Sequence, residues 1–222
     1  MQSLNIGLLL FPRLTQLDLT GPHEVFTKIP DAKVHLVAET MVPVTSDSGL
    51  TILPTATLES APPLDIICVP GGPGVDALLE NDAVLTYVAA QGARTRWVTS
   101  VCTGALVLGA AGLLRGYRAT THWRSLDLLE LVGAVPVKAR VAVDRNRITG
   151  GGVTSGIDFA LTLAALVHSQ ERAREIELML EYAPQPPFGC GSPETADVRT
   201  LDAVLKKTHT LIEQRAALLK KR

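Results

Sequence analysis

The chain is expected to fold as a doubly wound α/β unit, with a mostly parallel sheet covered by helices on both faces. Short apolar runs bounded by Gly or Pro recur along its 222 residues. Several lack polar–apolar alternation, as strands buried on both faces do. Helical patterns fall between them, and regular alternation of strand and helix builds a parallel sheet. The strands read, in order, as residues 6–11, 34–38, 65–69, 97–101 and 147–149, and the helices as 22–28, 75–91, 103–114, 125–131 and 156–168. Two β-branched stretches, 42–53 and 135–143, are expected to form hairpins or an antiparallel edge. From Leu201 onward, Leu201, Val204, Leu205, Leu211, Ile212 and Leu219 recur among Lys and Arg. That spacing makes one amphipathic helix, packed on the body or on a twin subunit. The Pro- and Gly-rich stretch 182–193 is a structured loop before it. No repeat or second core is visible, so residues 1–222 are read as one domain.

Composition narrows the function. With 46% hydrophobic, 19% charged and 4% aromatic residues, the chain has the makings of an aliphatic core and not of a disordered segment. Lys plus Arg number 21 against 22 Asp plus Glu, so no cationic surplus exists to neutralise a nucleic-acid backbone, and no such partner is expected. The N-terminal apolar run has no basic segment before it and is cut off by Arg13, unlike a secretion signal. The longest apolar stretch, 105–114, holds two glycines and falls short of the ~20 residues of a membrane span. A soluble cytoplasmic protein without membrane contact is expected. Cys68, Cys102 and Cys190 are widely separated, with no CxxC pair and no His at ligand spacing, so neither disulfides nor a metal site is indicated.

In open α/β sheets, ligands bind beyond the carboxyl ends of the strands. Four stretches lie there: Asp18-Leu19-Thr20-Gly21-Pro22, Pro70-Gly71-Gly72-Pro73-Gly74, Cys102-Thr103-Gly104 and Gly150-Gly151-Gly152. Cys102 falls where the strand 97–101 turns into a helix, as in the elbow that exposes a nucleophile, and a helix N-terminus favours the thiolate. A buried structural cysteine satisfies the same pattern, and the spacing leaves both readings open. Cys68 within a strand and Cys190 within a loop read as core and surface residues. The N–H groups of Gly72 and Thr103 are candidates for an oxyanion hole. The glycines around them lack the GxGxxG order and the Lys-Ser/Thr pair of a nucleotide loop. The run Gly150-Gly151-Gly152, leading through Val153 into a helix, has anion-binding geometry in principle, although such glycines more often just let chains approach. Asp18 reads either as a helix N-cap or, if it faces Cys102 in a closed cleft, as a proton donor whose pKa is raised by desolvation and by a neighbouring thiolate. Of the histidines, His23, His35, His168 and His209 read as structural or solvated. His122, in Thr121-His122-Trp123, can approach the nucleophile from another loop or serve as hydrogen-bonded scaffold.

Taken together, these stretches resemble the ThiJ/PfpI superfamily, whose flavodoxin-like fold with a nucleophile elbow is similar to that of class I glutamine amidotransferases. The matching pieces are 18–22, 65–72, 99–105, 119–123 and 149–158, in order along nearly the whole chain. Leu180-Glu181-Tyr182-Ala183-Pro184 and Pro187-Phe188 resemble the isocyanide hydratases within it. The resemblance implies Cys102 as nucleophile, with Asp18 as its acidic neighbour where other branches carry Glu. The protease branch places His directly after the Cys; Thr103 stands here instead, which lowers the peptidase reading. Related transcription regulators append a helix-turn-helix, for which the single helix read from Leu201 onward leaves no room. The implied activity adds water to a small-molecule isocyanide through a cysteine thioimidate, giving an N-substituted formamide, with no metal or organic cofactor. Water would be positioned by Thr103 and the backbone near Gly151 and Val153, with His122 in support, in a homodimer. The rival readings keep the same cysteine: a redox-sensing regulatory protein in which Cys102 is oxidised to sulfinic acid, or a glyoxalase or deglycase acting on small aldehydes.

Overall fold

The computed structural model describes residues 3–222; Met1 and Gln2, the first two residues of the expected domain and of the N-terminal apolar run, lie outside the described part. Along the chain run β1 (Leu4–Leu9), α1 (Gln16–Phe26), β2 (Ala32–Ala38), β3 (Ala56–Thr57), β4 (Ile66–Val69), α2 (Val75–Leu79), α3 (Asp82–Gly92), β5 (Trp97–Val101), α4 (Gly104–Ala110), β6 (Val141–Asp144), β7 (Arg147–Gly150), α5 (Ser155–Val167), α6 (Gln170–Met179) and α7 (Val198–Leu219). The strands form one sheet in the order β6-β7-β5-β4-β1-β2-β3, parallel throughout except for β6, an antiparallel edge on β7. Helices α1, α5 and α6 pack together on one face; α2, α3, α4, α7 and a 3₁₀ segment at Trp123–Val132 pack on the other.

The unalternating runs become the centre of the sheet. Ile6 and Leu8 of β1, Ile66 of β4 and Val98 of β5 are fully buried, as strands covered on both sides must be. Ile6 pairs with Ile66, and Ile67 with Val98. Phe26 of α1 meets Phe159 of α5 edge to face at 5.8 Å, which ties the first helix to the helix that follows the last strand. Among the described residues, no helix is long and apolar enough to cross a membrane.

Several elements differ from expectation, each for a local reason. Helix α1 begins at Gln16 and not at residue 22, so Pro22 sits inside it; burial of Leu19, Pro22, Val25 and Phe26 outweighs proline's helix-breaking tendency. His23 therefore lies in the last turn of this helix and not at its start. The stretch 75–91 is two helices, because the Asn81 side chain accepts the Val84 N–H and starts a new one. The helix read as 103–114 ends at Ala110, close before Gly112 at φ +77°. The stretch 125–131 is 3₁₀ and not α-helical, with His122 as its N-cap. Of the β-branched stretches, 42–53 gives a short antiparallel ladder of Val44–Thr45 with Thr51–Ile52. The stretch 135–143 supplies the antiparallel edge β6 and a second, parallel pairing of Val135–Pro136 with Arg118–Ala119. Sequence reasoning placed neither α6 nor the two-residue strand β3.

Candidate active site

The chain runs outward from β1 to β2 and β3, then returns to the other side of β1 with β4. The sheet thus has its switch point between β1 and β4, where a crevice opens at the carboxyl ends of the strands. Segments after β1, β4 and β5 converge there and bring Asp18, the Gly71-Gly72 turn and Cys102 together.

Cys102 has φ +54°, in the left-handed region that a residue with a Cβ enters only at a cost of about 1–3 kcal/mol. Its neighbours hold it there. The Cys102 N–H donates to the Gly150 carbonyl at 3.1 Å, and the Thr121 hydroxyl donates to the Cys102 carbonyl at 2.7 Å. Asp18 is fully buried in the first turn of α1 and accepts the Gly71 N–H on Oδ2 at 3.0 Å, while Oδ1 has no partner meeting hydrogen-bond geometry. Burial pushes this carboxyl up to about 7, against the opposing pulls of the Gly71 N–H and the Cys102 thiol beside it. A Cβ on Gly71 would come within 2.5 Å of the Thr103 nitrogen and 2.9 Å of Asp18 Oδ2, so only glycine lets acid and elbow close around this turn. Cys102 lines a cavity of about 210 Å³ walled by Thr103, His122, Val153, Leu211 and Ile212. Asp18 stands beside the Cys102 thiol.

Comparison with known proteins shows the family of the chain. The sequence profile of the DJ-1/PfpI family matches residues 5–166. The chain belongs to the DJ-1/PfpI family. It is 55% identical to an isonitrile hydratase of Pseudomonas putida over 97% of each chain. The transcriptional regulator GbdR of Pseudomonas aeruginosa is 36% identical over 63% of this chain but only 38% of its own length. A crystal structure of a ThiJ/PfpI family protein from Pseudomonas syringae superposes with a TM-score of 0.97 at 44% identity, covering 99% of this chain and 91% of that one. Oxidised DJ-1 of Toxoplasma gondii, at 21% identity and a TM-score of 0.74, shares the fold.

Of the residues expected at the site, Cys102, Thr103, Gly72, Val153 and His122 all line the cavity. Four sequence readings need correction. Asp18 is not an N-cap: Thr15 holds that position, and the carboxyl points to Gly71 and Cys102. The Gly72 N–H is not free for an oxyanion, because it donates to the Thr103 hydroxyl at 3.0 Å. Gly151 does not face the cavity; its N–H donates to the Arg140 carbonyl at 2.9 Å. The Cys102 thiol is neither exposed nor of low pKa. It is 5% exposed, and burial together with the Asp18 carboxyl pushes it well above the usual thiol range, while the Thr103 N–H and the Arg215 charge draw it back only in part. The two-turn helix α4 does not outweigh desolvation. The imidazole of His122 is held below its usual range by burial and by nearby Arg215 and Arg124; its Nδ1 accepts the Arg124 N–H at 3.3 Å.

Sequence reasoning named the stretch around Gly71 but gave that residue no role, and it missed the whole contribution of α7, which lines the cavity with Thr208, Leu211, Ile212 and Arg215. The family profile ends before this helix. A signal was present: Leu211, Arg215 and Leu219 stand four residues apart, which puts an arginine on the apolar stripe. Among the described residues, no group of three or more His, Cys, Asp or Glu is arranged to hold a metal ion.

Proposed function

We propose that this protein hydrates isocyanides to N-substituted formamides, with Cys102 as nucleophile and Asp18 as proton donor. The observation that carries the reading is the pairing itself: a carboxyl raised to about 7 beside a thiol on a strained elbow, on a small cavity where Val153, Leu211 and Ile212 stand among polar side chains. Likeness to the isonitrile hydratase over 97% of each chain supports it, isonitrile being another name for isocyanide.

An isocyanide carbon needs both a nucleophile and a proton, because its lone pair makes it basic until it is protonated. The reactive form of the pair holds one proton between the two groups. Sulfur bonds to the carbon as Asp18 delivers that proton to it, giving the thioimidate R–N=CH–S–Cys102 and an Asp18 carboxylate. The carboxylate then takes a proton from water as the hydroxyl adds to the carbon and passes it to the nitrogen, giving R–NH–CH(OH)–S–Cys102 and leaving the Asp18 carboxylate free to take up the hydroxyl proton. Breakage of the carbon–sulfur bond releases R–NH–CHO and returns the proton to the thiol–carboxyl pair. Thr103 and Val153 border the space for the water, and His122 stands at its edge as a neutral imidazole. No metal or organic cofactor enters these steps. The redox-sensor alternative is less well supported, since oxidation follows thiolate character and exposure, and Cys102 has little of either.

The test is ultraviolet detection of formamide from a simple aryl isocyanide. Wild type should turn over, Cys102→Ala should not, and Asp18→Asn should be strongly impaired. Inactivity of wild type on isocyanides but not on small aldehydes would replace this reading with the glyoxalase or deglycase one. We also expect a homodimer acting in the cytoplasm. Exposed Leu178, Met179 and Phe188 favour self-contact, and a solution mass near the 23.6 kDa of one chain would refute the dimer.

A further inference from the structure

We infer that Arg215 is a positioning residue, which holds the Gly71-Gly72 turn from the C-terminal helix and thereby aligns Asp18 with Cys102. Its kinetic consequence rests on the hydration reading; its effect on the thiol does not.

Arg215 is 4% exposed near the end of α7. A buried guanidinium is costly unless its donors find partners. Here Nε donates to Asp76 Oδ1 at 2.6 Å and Nη2 donates to the Gly72 carbonyl at 3.1 Å. That carbonyl also accepts the Val75 N–H at 3.2 Å, at the start of α2. Gly72 itself has φ +134°, and a Cβ there would run into the Thr15 nitrogen and Leu14 backbone.

The turn therefore has two faces. Outward, the Gly71 carbonyl accepts the Thr15 N–H at 3.0 Å and the Gly72 carbonyl accepts Arg215. Inward, the Gly71 N–H donates to Asp18 and the Gly72 N–H to the Thr103 hydroxyl, both at 3.0 Å. One short glycine turn thus touches the acid and the elbow, and Arg215 is the charged side chain that clamps it. The same guanidinium lines the cavity and draws the thiol downward. The other groups that bear on the pair are Asp47, which raises Asp18, and Cys68, which senses the same carboxyl from β4; His122 and Arg124 line the cavity wall.

Removing Arg215 frees the turn, so Asp18 loses a fixed donor and its carboxyl rises further. The thiol loses a favourable charge and rises as well. The one-proton form of the pair then becomes scarcer at neutral pH.

Helix α7 supplies its own control. Arg222 also anchors it, with Nε donating to the Leu79 carbonyl at 2.8 Å and Nη1 to Asp82 at 2.6 Å, but it does not touch the turn or the cavity. The experiment uses the full chain in a Cys190→Ser background and compares Arg215→Met, Arg215→Lys and Arg222→Met. Two pH profiles are read: kcat/KM on an aryl isocyanide, and alkylation of Cys102 by iodoacetamide, each corrected for folded fraction by circular dichroism. Arg215→Met should lower kcat/KM at pH 7 about tenfold and move the rising limb of both profiles to higher pH. Arg215→Lys, which keeps the charge but not the two-point contact, should fall between. Arg222→Met should weaken the fold without moving either limb. Unshifted limbs in both Arg215 variants, or an equal shift in Arg222→Met, would overturn the inference. If Arg215→Met does not fold, Arg215→Lys carries the comparison. If wild type fails to hydrate isocyanides, the hydratase reading falls while the alkylation profile still decides the role of Arg215.

Discussion

Cys68 lies in β4 and Cys102 just past the end of the neighbouring β5; both are buried, and burial pushes both thiols up, Cys68 to about 12. Cys68 sits in the regular ladder of β4, paired with Thr99. Cys102 sits one residue past the end of β5 at φ +54°, against a carboxyl and on a cavity wall. Thiol acidity alone therefore does not separate the core residue from the nucleophile. The separation comes from a backbone turn that lifts one sulfur out of the sheet and from an acid that can exchange a proton with it.

The largest test of this contrast is to remove the acid. Asp18→Asn keeps an acceptor for the Gly71 N–H but cannot transfer a proton, so hydration should fall by about 10²–10⁴-fold in steady-state assays. The same variant should behave oppositely in stability. Asp18 has a folded pKa of about 7 against 3.8 for an ordinary aspartate, so the folded state binds more protons between those values. Wild type should then lose stability as pH rises from about 4 to 7, whereas Asp18→Asn should not. At pH 8 the variant should be the more stable by an amount on the order of a few kcal/mol, and at pH 4 the gap should nearly close in urea unfolding.

Smaller effects probe the turn and the elbow. Gly71→Ala forces a Cβ against Thr103 and Asp18, and should cost about 1–3 kcal/mol of stability together with most of the activity. Thr121→Val deletes the hydroxyl that donates to the Cys102 carbonyl, at a cost of about 1 kcal/mol and a several-fold drop in kcat. The smallest change is expected at the comparison residue. Cys68→Ala should destabilise by about 1 kcal/mol and leave turnover within about twofold of wild type. A large loss of activity there would mean that the two cysteines are not as different as their backbones are.

The parts visible in the sequence were those set by local pattern. Unbroken apolar runs marked β1, β4 and β5, and the residues after them marked the strand ends where Asp18 and Cys102 stand. What stayed hidden depends on tertiary contact. Pro22 marked the start of a helix that packing begins at Gln16, and this kept a cap role open for Asp18. The Gly72 and Gly151 N–H groups meet their partners, Thr103 and Arg140, only when the chain folds, so neither spacing nor composition showed that both were already engaged. The thiol was expected to be acidic because a helix begins beside it, but desolvation and the neighbouring carboxyl are set by the folded environment. Arg215 looked like one more cation on a basic helix until its two acceptors, more than a hundred residues earlier, came into view.

The most direct test is intact-mass spectrometry of protein acid-quenched during turnover of an aryl isocyanide, run beside formamide release. The expected result is a gain of one isocyanide mass located on Cys102, absent from Cys102→Ala, which also releases no formamide. Undiminished formamide release by Cys102→Ala, or an adduct located on Cys68 instead, would contradict the account.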